Sequence, residues 1–423
     1  MTVNETILKI NEGYYNDDFN LLYGECNNAS LRYITACKNF IELFGERDVR
    51  MFSAPGRTEV GGNHTDHQHG CVLAGSVNLD VIAIVSTNND NVVRIKSEGY
   101  DMDTVSLDEL KYSENEFGKA SALIRGMLGV MKSQGYNIGG FDAYTTSNVL
   151  KGSGLSSSAA FEVLIGVIIN NLFNDGKVDA VNIAKFAQKA ENIYFGKPCG
   201  LMDQMASSVG GFTSIDFNDT ENPIINKIEF DLSKQNHSLC IVNTGGNHAD
   251  LTDDYADITV GDKKISNHFG KDYLRQVDEE QFFSSITELR EKYGDRPVLC
   301  AIHFFADNKR AIDEANALKQ GRFDDFLNLV KQSGNSSFKY LQNVFSVRFP
   351  NQQGLSVAIA LTERFLNGRG AVRVHGGGFA GTIQAFIPND LLVEYKEMIE
   401  ETFGKNSCYI LNIRSVGGYS LKI

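Results

Sequence analysis

Three stretches of this chain concentrate residues able to do chemistry. The run Gly152, Ser153, Gly154, Leu155, Ser156, Ser157, Ser158 and Ala159 leads into an apolar-periodic segment. A helix start leaves about four backbone N–H groups without partners, and its dipole favours an anion there. Glycines ahead of it let the backbone approach a phosphate, and the serine hydroxyls add donors or a metal ligand. The same residues also suit a glycine turn with a serine N-cap. No Walker A pattern and no protein-kinase motif set accompanies the run. The second stretch, Ala54 to His69, holds Arg57, Asn63, His64, Asp66, His67 and His69. Its histidine spacing matches neither HExxH nor a Cys/His finger, so zinc is disfavoured. It reads as a polar wall able to hydrogen-bond several hydroxyls, or as a polar surface loop. The third, His375 to Gly381, carries Gly376, Gly377 and Gly378 after a short apolar run. Consecutive glycines allow close approach of a phosphate or of a second backbone segment, or simply a tight turn.

The elements that must position these residues are partly legible. Met51 to Gly70 is dense in Gly, Asn, Asp and His and reads as a loop. Val77 to Val85 reads as a strand, and Val92 to Ile95 as its hairpin partner across Asn88–Asn91. Leu123, Met127, Leu128 and Met131 recur at helical spacing within 119–134. A strand near Phe141 to Thr145 precedes the glycine-serine run. Ala160, Val163, Leu164, Val167 and Ile168 then mark one helix face, and Ile183, Phe186, Ala187 and Ala190 another. Further on, Ser238 to Val242 reads as a strand, Lys309 to Gln332 as one long helix, and Ala371 to His375 as a strand entering glycines. Strands and helices mix without strict βαβ alternation, so the fold class expected is α+β.

The chain has 423 residues, 42% of them hydrophobic, which suits two domains, placed at 1–230 and 231–423. A formal charge of −13 argues against a nucleic-acid footprint and against an anionic membrane partner. Seven scattered cysteines without CxxC spacing fit a reduced, cytoplasmic setting. The N-terminus shows no signal-peptide pattern, and no apolar run reaches the roughly 20 residues of a membrane helix.

Taken together, APGRTEVGGNHTDHQHG, GSGLSSSAAFEVLIG, GGGFAGT and the segment from Ala190 through Glu191, Gly200 and Asp203 to Gln204 resemble the blocks of the GHMP kinase superfamily, specifically its galactokinases. The resemblance spans about residue 38 to the C-terminus. It implies a ribosomal-S5-like N-terminal domain, a ferredoxin-like C-terminal domain and an active site between them. It implies phosphorylation of the anomeric hydroxyl of galactose by ATP, with Mg²⁺ as cofactor and no obligate protein partner. By position, Arg57 and Asp203 would be the catalytic pair, Asp203 accepting the hydroxyl proton or orienting the hydroxyl. Asn63, His64, Asp66, Gly200 and Tyr255 would face the sugar. Gly152 to Ala159 with Gly377 and Gly378 would hold ATP, and Ser158 and Glu191 the metal. The sequence also departs from the galactokinase pattern. Asn63 stands where glutamate is usual, and Thr58, Glu59, Val60 and Gly61 replace Val-Asn-Leu-Ile. Leu150 replaces a common proline, His375 and Ala380 are atypical, and the arginine usual after Tyr255 is absent. A kinase for another sugar such as N-acetylgalactosamine, or a non-catalytic galactose-sensing regulator, is the alternative. The presence of Arg57, Asp203, Glu191 and the Ser156–Ala159 run favours catalysis.

Overall fold

The stretch expected to be a loop opens instead with a strand. The computed structural model describes residues 1–149, 154–246 and 251–422. In chain order its strands are β1 (Arg50–Gly61), β2 (Cys71–Thr87), β3 (Val92–Ser97), β4 (Met102–Ser106), β5 (Phe141–Ser147), β6 (Phe212–Asp216), β7 (Ile224–Ile228), β8 (His237–Asn243), β9 (Ala371–Val374), β10 (Thr382–Pro388), β11 (Cys408–Leu411) and β12 (Tyr419–Ser420). The density of Gly, Asn, Asp and His that suggests a loop also covers β1, whose Arg57, Thr58 and Glu59 carry polar side chains in a strand. They are buried, and Arg57 Nε, Thr58 Oγ1 and Glu59 Oε1 find partners distant in sequence.

The first sheet runs β12-β1-β2-β5-β3-β4. β2 is long enough that Cys71–Gly75 pair with β6 while Val81–Thr87 pair with β5. β3 does not fold back on β2 as a hairpin: it pairs parallel with β5 and antiparallel with β4. The second sheet, β11-β8-β10-β9, is antiparallel throughout. Helix Gly354–Leu366 precedes β9 and helix Leu392–Phe403 joins β10 to β11, which gives the βαββαβ order of a ferredoxin-like unit. Val242, Val374, Ile383, Leu355, Tyr395 and Ile399 form part of its core. β7 and β8 lie on either side of residue 230. The chain's last segment nevertheless returns to the first sheet, where Tyr419 and Ser420 pair with Ser53 and Phe52 of β1.

Helix Ser157–Phe173 buries Ala160, Val163, Leu164, Val167 and Ile168, as their spacing requires. Helix Ala120–Ser133 buries Leu123, Met127, Leu128 and Met131. The single helix expected over 309–332 is two, Asp295–Lys319 and Phe323–Ser336. Gly321 between them takes φ +69°, which stops a right-handed helix even where the apolar period continues across it. Among the described residues no helix is long and apolar enough to cross a membrane.

Candidate active site

Arg57 and Asp203 meet although 146 positions separate them. Two irregularities in the β1–β2 register, between Pro55 and Arg57 and between Glu59 and Gly61, flank the polar run and set its aim. Arg57 Nε donates to Asp203 Oδ1 at 2.6 Å, and Ser156 Oγ donates to Asp203 Oδ2 at 2.7 Å. Arg57 Nη1 also donates to the Gly154 carbonyl, and Arg57 N–H to the Leu155 carbonyl at 2.9 Å. The arginine therefore clasps both the aspartate and the loop ahead of helix Ser157–Phe173. Asp203 lies in the first turn of helix Met202–Val209, where the helix dipole favours its charge. Burial alone would raise its pKa. The Arg57 charge and hydrogen bond, the Ser156 hydrogen bond and Lys197 outweigh that and hold Asp203 below the usual carboxylate range. Its side chain keeps 30% of its surface exposed, so one face of an ionised carboxylate stays open.

That face borders a cavity of about 210 Å³ lined by Arg57, Glu59, His64, Asp66, Gly200 and Asp203, among others. His64, at φ +60°, donates Nε2–H to the Gly377 carbonyl at 2.9 Å, leaving Nδ1 as an acceptor. Burial and the neighbouring His67 push its pKa down to about 4, so the ring is neutral. Gly200 lies close against Asp66: a Cβ there would stand 2.7 Å from Asp66 Oδ2, so a side chain would displace that carboxylate.

Glu191 sits in a π-helical turn, Ala190–Phe195, an irregularity common at functional sites. Its Oε1 accepts from Ser158 Oγ at 3.3 Å and from Lys197 Nζ at 3.2 Å, and its Oε2 accepts from Gln204 Nε2 at 2.6 Å. Gln204 also donates to Glu162 Oε2 at 3.3 Å. Burial and the Glu191 charge raise the Glu162 pKa well above the ordinary value.

The residues singled out in the sequence fall into distinct places. His64, Asp66, Gly200, Arg57 and Asp203 share the cavity. Asn63 is fully buried behind its wall and does not line it. Tyr255 also stands behind it, stacked on His64 with ring centroids 6.5 Å apart, its hydroxyl donating to the Gly378 carbonyl at 2.9 Å. Of the residues assigned to ATP, Gly154 has φ +72° and packs on His375, Leu155 is core, and Ser156 turns toward Asp203. Ser157, Ser158 and Ala159 form the first turn of a helix whose N-cap side chain makes no capping bond. Gly377 borders the same cavity and Gly378 packs on Asn343. Gly152 and Ser153 lie outside the described residues. The residue that sequence reasoning missed is Glu59. Once β1 is known to be a strand, its spacing of two from Arg57 puts both on one face.

This arrangement, a helix start beside an ionised aspartate and an arginine at a polar cavity, defines a kinase of the GHMP class. Residues 122–211 match the family described as GHMP kinases N terminal domain, and residues 38–87 match the galactokinase galactose-binding signature. The chain is 30% identical over 387 residues to a galactokinase of Clostridium tetani (strain Massachusetts / E88), covering 90% of this chain and 94% of that protein. A galactokinase of Streptomyces coelicolor is 28% identical over 87% of this chain and 92% of its own length. In fold the chain is similar to Lactococcus lactis galactokinase complexed with galactose (TM-score 0.76, 23% identity, 90% of this chain and 98% of that one). It is also similar to Methanococcus jannaschii mevalonate kinase (TM-score 0.62, 15% identity, 86% and 98%). The chain belongs to the galactokinase family.

Proposed function

We propose that this protein transfers the γ-phosphoryl group of ATP to the anomeric hydroxyl of α-D-galactose, giving galactose 1-phosphate and ADP. The observation that carries the proposal is the open, ionised face of Asp203 at a polar cavity, locked by Arg57 and Ser156. Phosphoryl transfer needs alignment and neutralised charge more than covalent help. The sugar hydroxyl donates to Asp203, which fixes its oxygen for in-line attack. With its pKa held low, Asp203 is a firm acceptor and a weak base. It therefore orients the hydroxyl first and takes the proton late, as bond formation acidifies it. Arg57 keeps Asp203 charged and adds positive field at the transferring group. The first-turn N–H groups from Ser157 onward and the loop clasped by Arg57 cradle the phosphates.

Ser158 and Glu191 offer only oxygen ligands 3.3 Å apart, a donor set that suits Mg²⁺. The Glu191 oxygen already pairs with the Lys197 ammonium, which supports its carrying negative charge toward a cation. With phosphates and water completing its shell, Mg²⁺ would neutralise charge on the β- and γ-phosphate oxygens. Seven free cysteines support a cytoplasmic setting. The test is a coupled ADP-release screen over galactose, N-acetylgalactosamine, glucose, arabinose and mevalonate. Galactose is expected to give the highest kcat/KM, and a clear preference for another acceptor overturns the sugar assignment.

A further inference from the structure

Glu59 is a charged residue built into the cavity wall that orientation of the reacting hydroxyl does not use. It faces the same cavity as Arg57, His64, Asp66 and Asp203, and its side chain is only 7% exposed. Its two oxygens are treated differently. Oε1 accepts from Asn63 Nδ2 at 2.7 Å and from Arg373 Nη2 at 3.2 Å. Among the described residues no hydrogen bond uses Oε2, and Oε2 is not among the fully enclosed polar atoms. It is the oxygen left for the cavity.

The residues behind Glu59 are committed to protein partners and lie off the cavity. Asn63 Nδ2 spends its second hydrogen on the Gly376 carbonyl at 2.8 Å. Asn63 Oδ1 accepts from Asn343 Nδ2 at 2.8 Å and from Ser337 Oγ at 3.2 Å. That exhausts the two donors and two acceptor sites of an amide. Its backbone is pinned too, the N–H by Asp307 Oδ2 at 2.8 Å and the carbonyl by His303 Nε2 at 2.9 Å. Arg373, fully buried, donates to the Val60 carbonyl at 2.6 Å and the Val374 carbonyl at 3.0 Å besides Glu59. Such a clamp fixes where the Glu59 carboxyl points. A nearly buried carboxylate oxygen without a partner is costly unless something supplies one.

We infer that Glu59 binds one hydroxyl of the sugar directly, with Asn63 and Arg373 as its positioning residues, so that a sugar-selecting carboxylate of this chain is at position 59 and not at 63. The inference rests on the reading of the cavity as a sugar site. It explains why Asn63 can be an amide: it is the support, and Glu59 is the contact. Burial pushes the Glu59 carboxyl up to about 7 against the opposing pull of Arg373, Asn63 and Arg57. Near neutral pH it is thus able both to accept from a hydroxyl and to donate to one.

The experiment is a chemical cycle on the full chain. Glu59→Gln keeps the volume and an oxygen for Asn63 and Arg373, and changes the group left to the cavity. Wild type and variant are compared on galactose and on its 2-, 3-, 4- and 6-deoxy analogues, with KM for ATP measured in parallel. The expected result is a galactose KM raised about 10-fold or more, with kcat and the ATP KM nearly unchanged. That penalty shrinks to about 2-fold or less for the one analogue that lacks the bound hydroxyl. An unchanged galactose KM, or one equal penalty on every analogue, overturns the inference. Should Glu59→Gln not fold, Glu59→Asp keeps the charge beside Arg373 while drawing the oxygen out of the cavity, and the same two outcomes apply. A wild type that prefers another hexose overturns the galactose assignment alone, and the deoxy series of that hexose then decides on Glu59 by the same criterion.

Discussion

Two aspartates of this chain are paired with arginine and end with opposite roles. Asp80, on β2, accepts from Arg32 Nη1 at 2.5 Å, Tyr23 at 2.6 Å, Arg414 Nη1 at 3.2 Å and Ser53. It is fully buried and saturated. Asp203 has one protein partner on each oxygen and 30% of its side chain exposed. In both, burial alone would raise the pKa and the arginine charge wins, so both stay below the usual carboxylate range. The charge pair is common to the two sites, and the open face is what separates them. Asp80 ties helices Asn16–Tyr23 and Asn27–Phe44 and the C-terminal tail to the first sheet. Asp203 keeps acceptor capacity on the face it turns to the cavity.

The sharpest way to break this comparison is to remove each charge in turn. Asp80→Asn leaves Arg32 and Arg414 short of their counter-charge, and stability should fall by about 3–5 kcal/mol, read from a denaturant midpoint. The fraction that remains folded should keep its kcat within about 3-fold, because Asp80 does not touch the cavity. Asp203→Asn should do the reverse. It lowers kcat by roughly 10²-fold or more and costs less stability than Asp80→Asn, because it strands one arginine at an open cavity and not two in the core. If both substitutions cost mainly stability, the open face means nothing.

Asn63→Glu comes next. It removes the amide donor shared by Glu59 and the Gly376 carbonyl and sets a second carboxylate against the first. A loss of about 1–3 kcal/mol in stability is expected, with a poorer galactose KM. Pairing it with Glu59→Asn should recover more than the two single losses predict, since the residues are in contact. Strict additivity would show that the two side chains do not work as a unit.

Gly154→Val should raise the ATP KM roughly 10-fold while sugar binding persists. A side chain there is strained at φ +72° and its Cβ stands 3.1 Å from His375 Nδ1. Calorimetry showing unchanged nucleotide affinity would remove this loop from the ATP site.

The smallest effect is a pH profile. A carboxylate whose folded pKa is depressed stabilises the fold above its unfolded pKa of about 3.9 and loses that contribution as pH falls through the folded value. Stability conferred by Asp80 should therefore be flat through neutral pH and decline only in acid, and Asp80→Asn should flatten that acid limb. The acid limb of kcat should likewise not rise to the ordinary carboxylate range, because Asp203 stays ionised.

Much of the scaffold around Asp203 was legible. The period of Ala160, Val163, Leu164, Val167 and Ile168 reported the helix after the glycine-serine run, because burial of one face writes itself into spacing. β1 was not legible for the same physical reason. Its polar residues are neutralised by Asp203, His375 and Arg373, up to 317 positions away, and no local pattern records such partners. The hairpin expected for β3 failed because β5 supplies a parallel neighbour from beyond an intervening helix. Motif resemblance located His64, Asp66, Gly200 and Asp203 around one cavity. It could not show that Asn63 turns its amide inward, since that depends on Asn343, Ser337 and Gly376 in the second half of the chain.

The most direct test of the central claim is ³¹P NMR of the product formed from ATP and α-D-galactose, with wild type and Asp203→Asn run side by side. Wild type is expected to give a single sugar phosphate on the anomeric oxygen, formed roughly 10²-fold or more slowly by a folded Asp203→Asn. Phosphate on another hydroxyl, no sugar phosphate at all, or equal rates from the two proteins would contradict it.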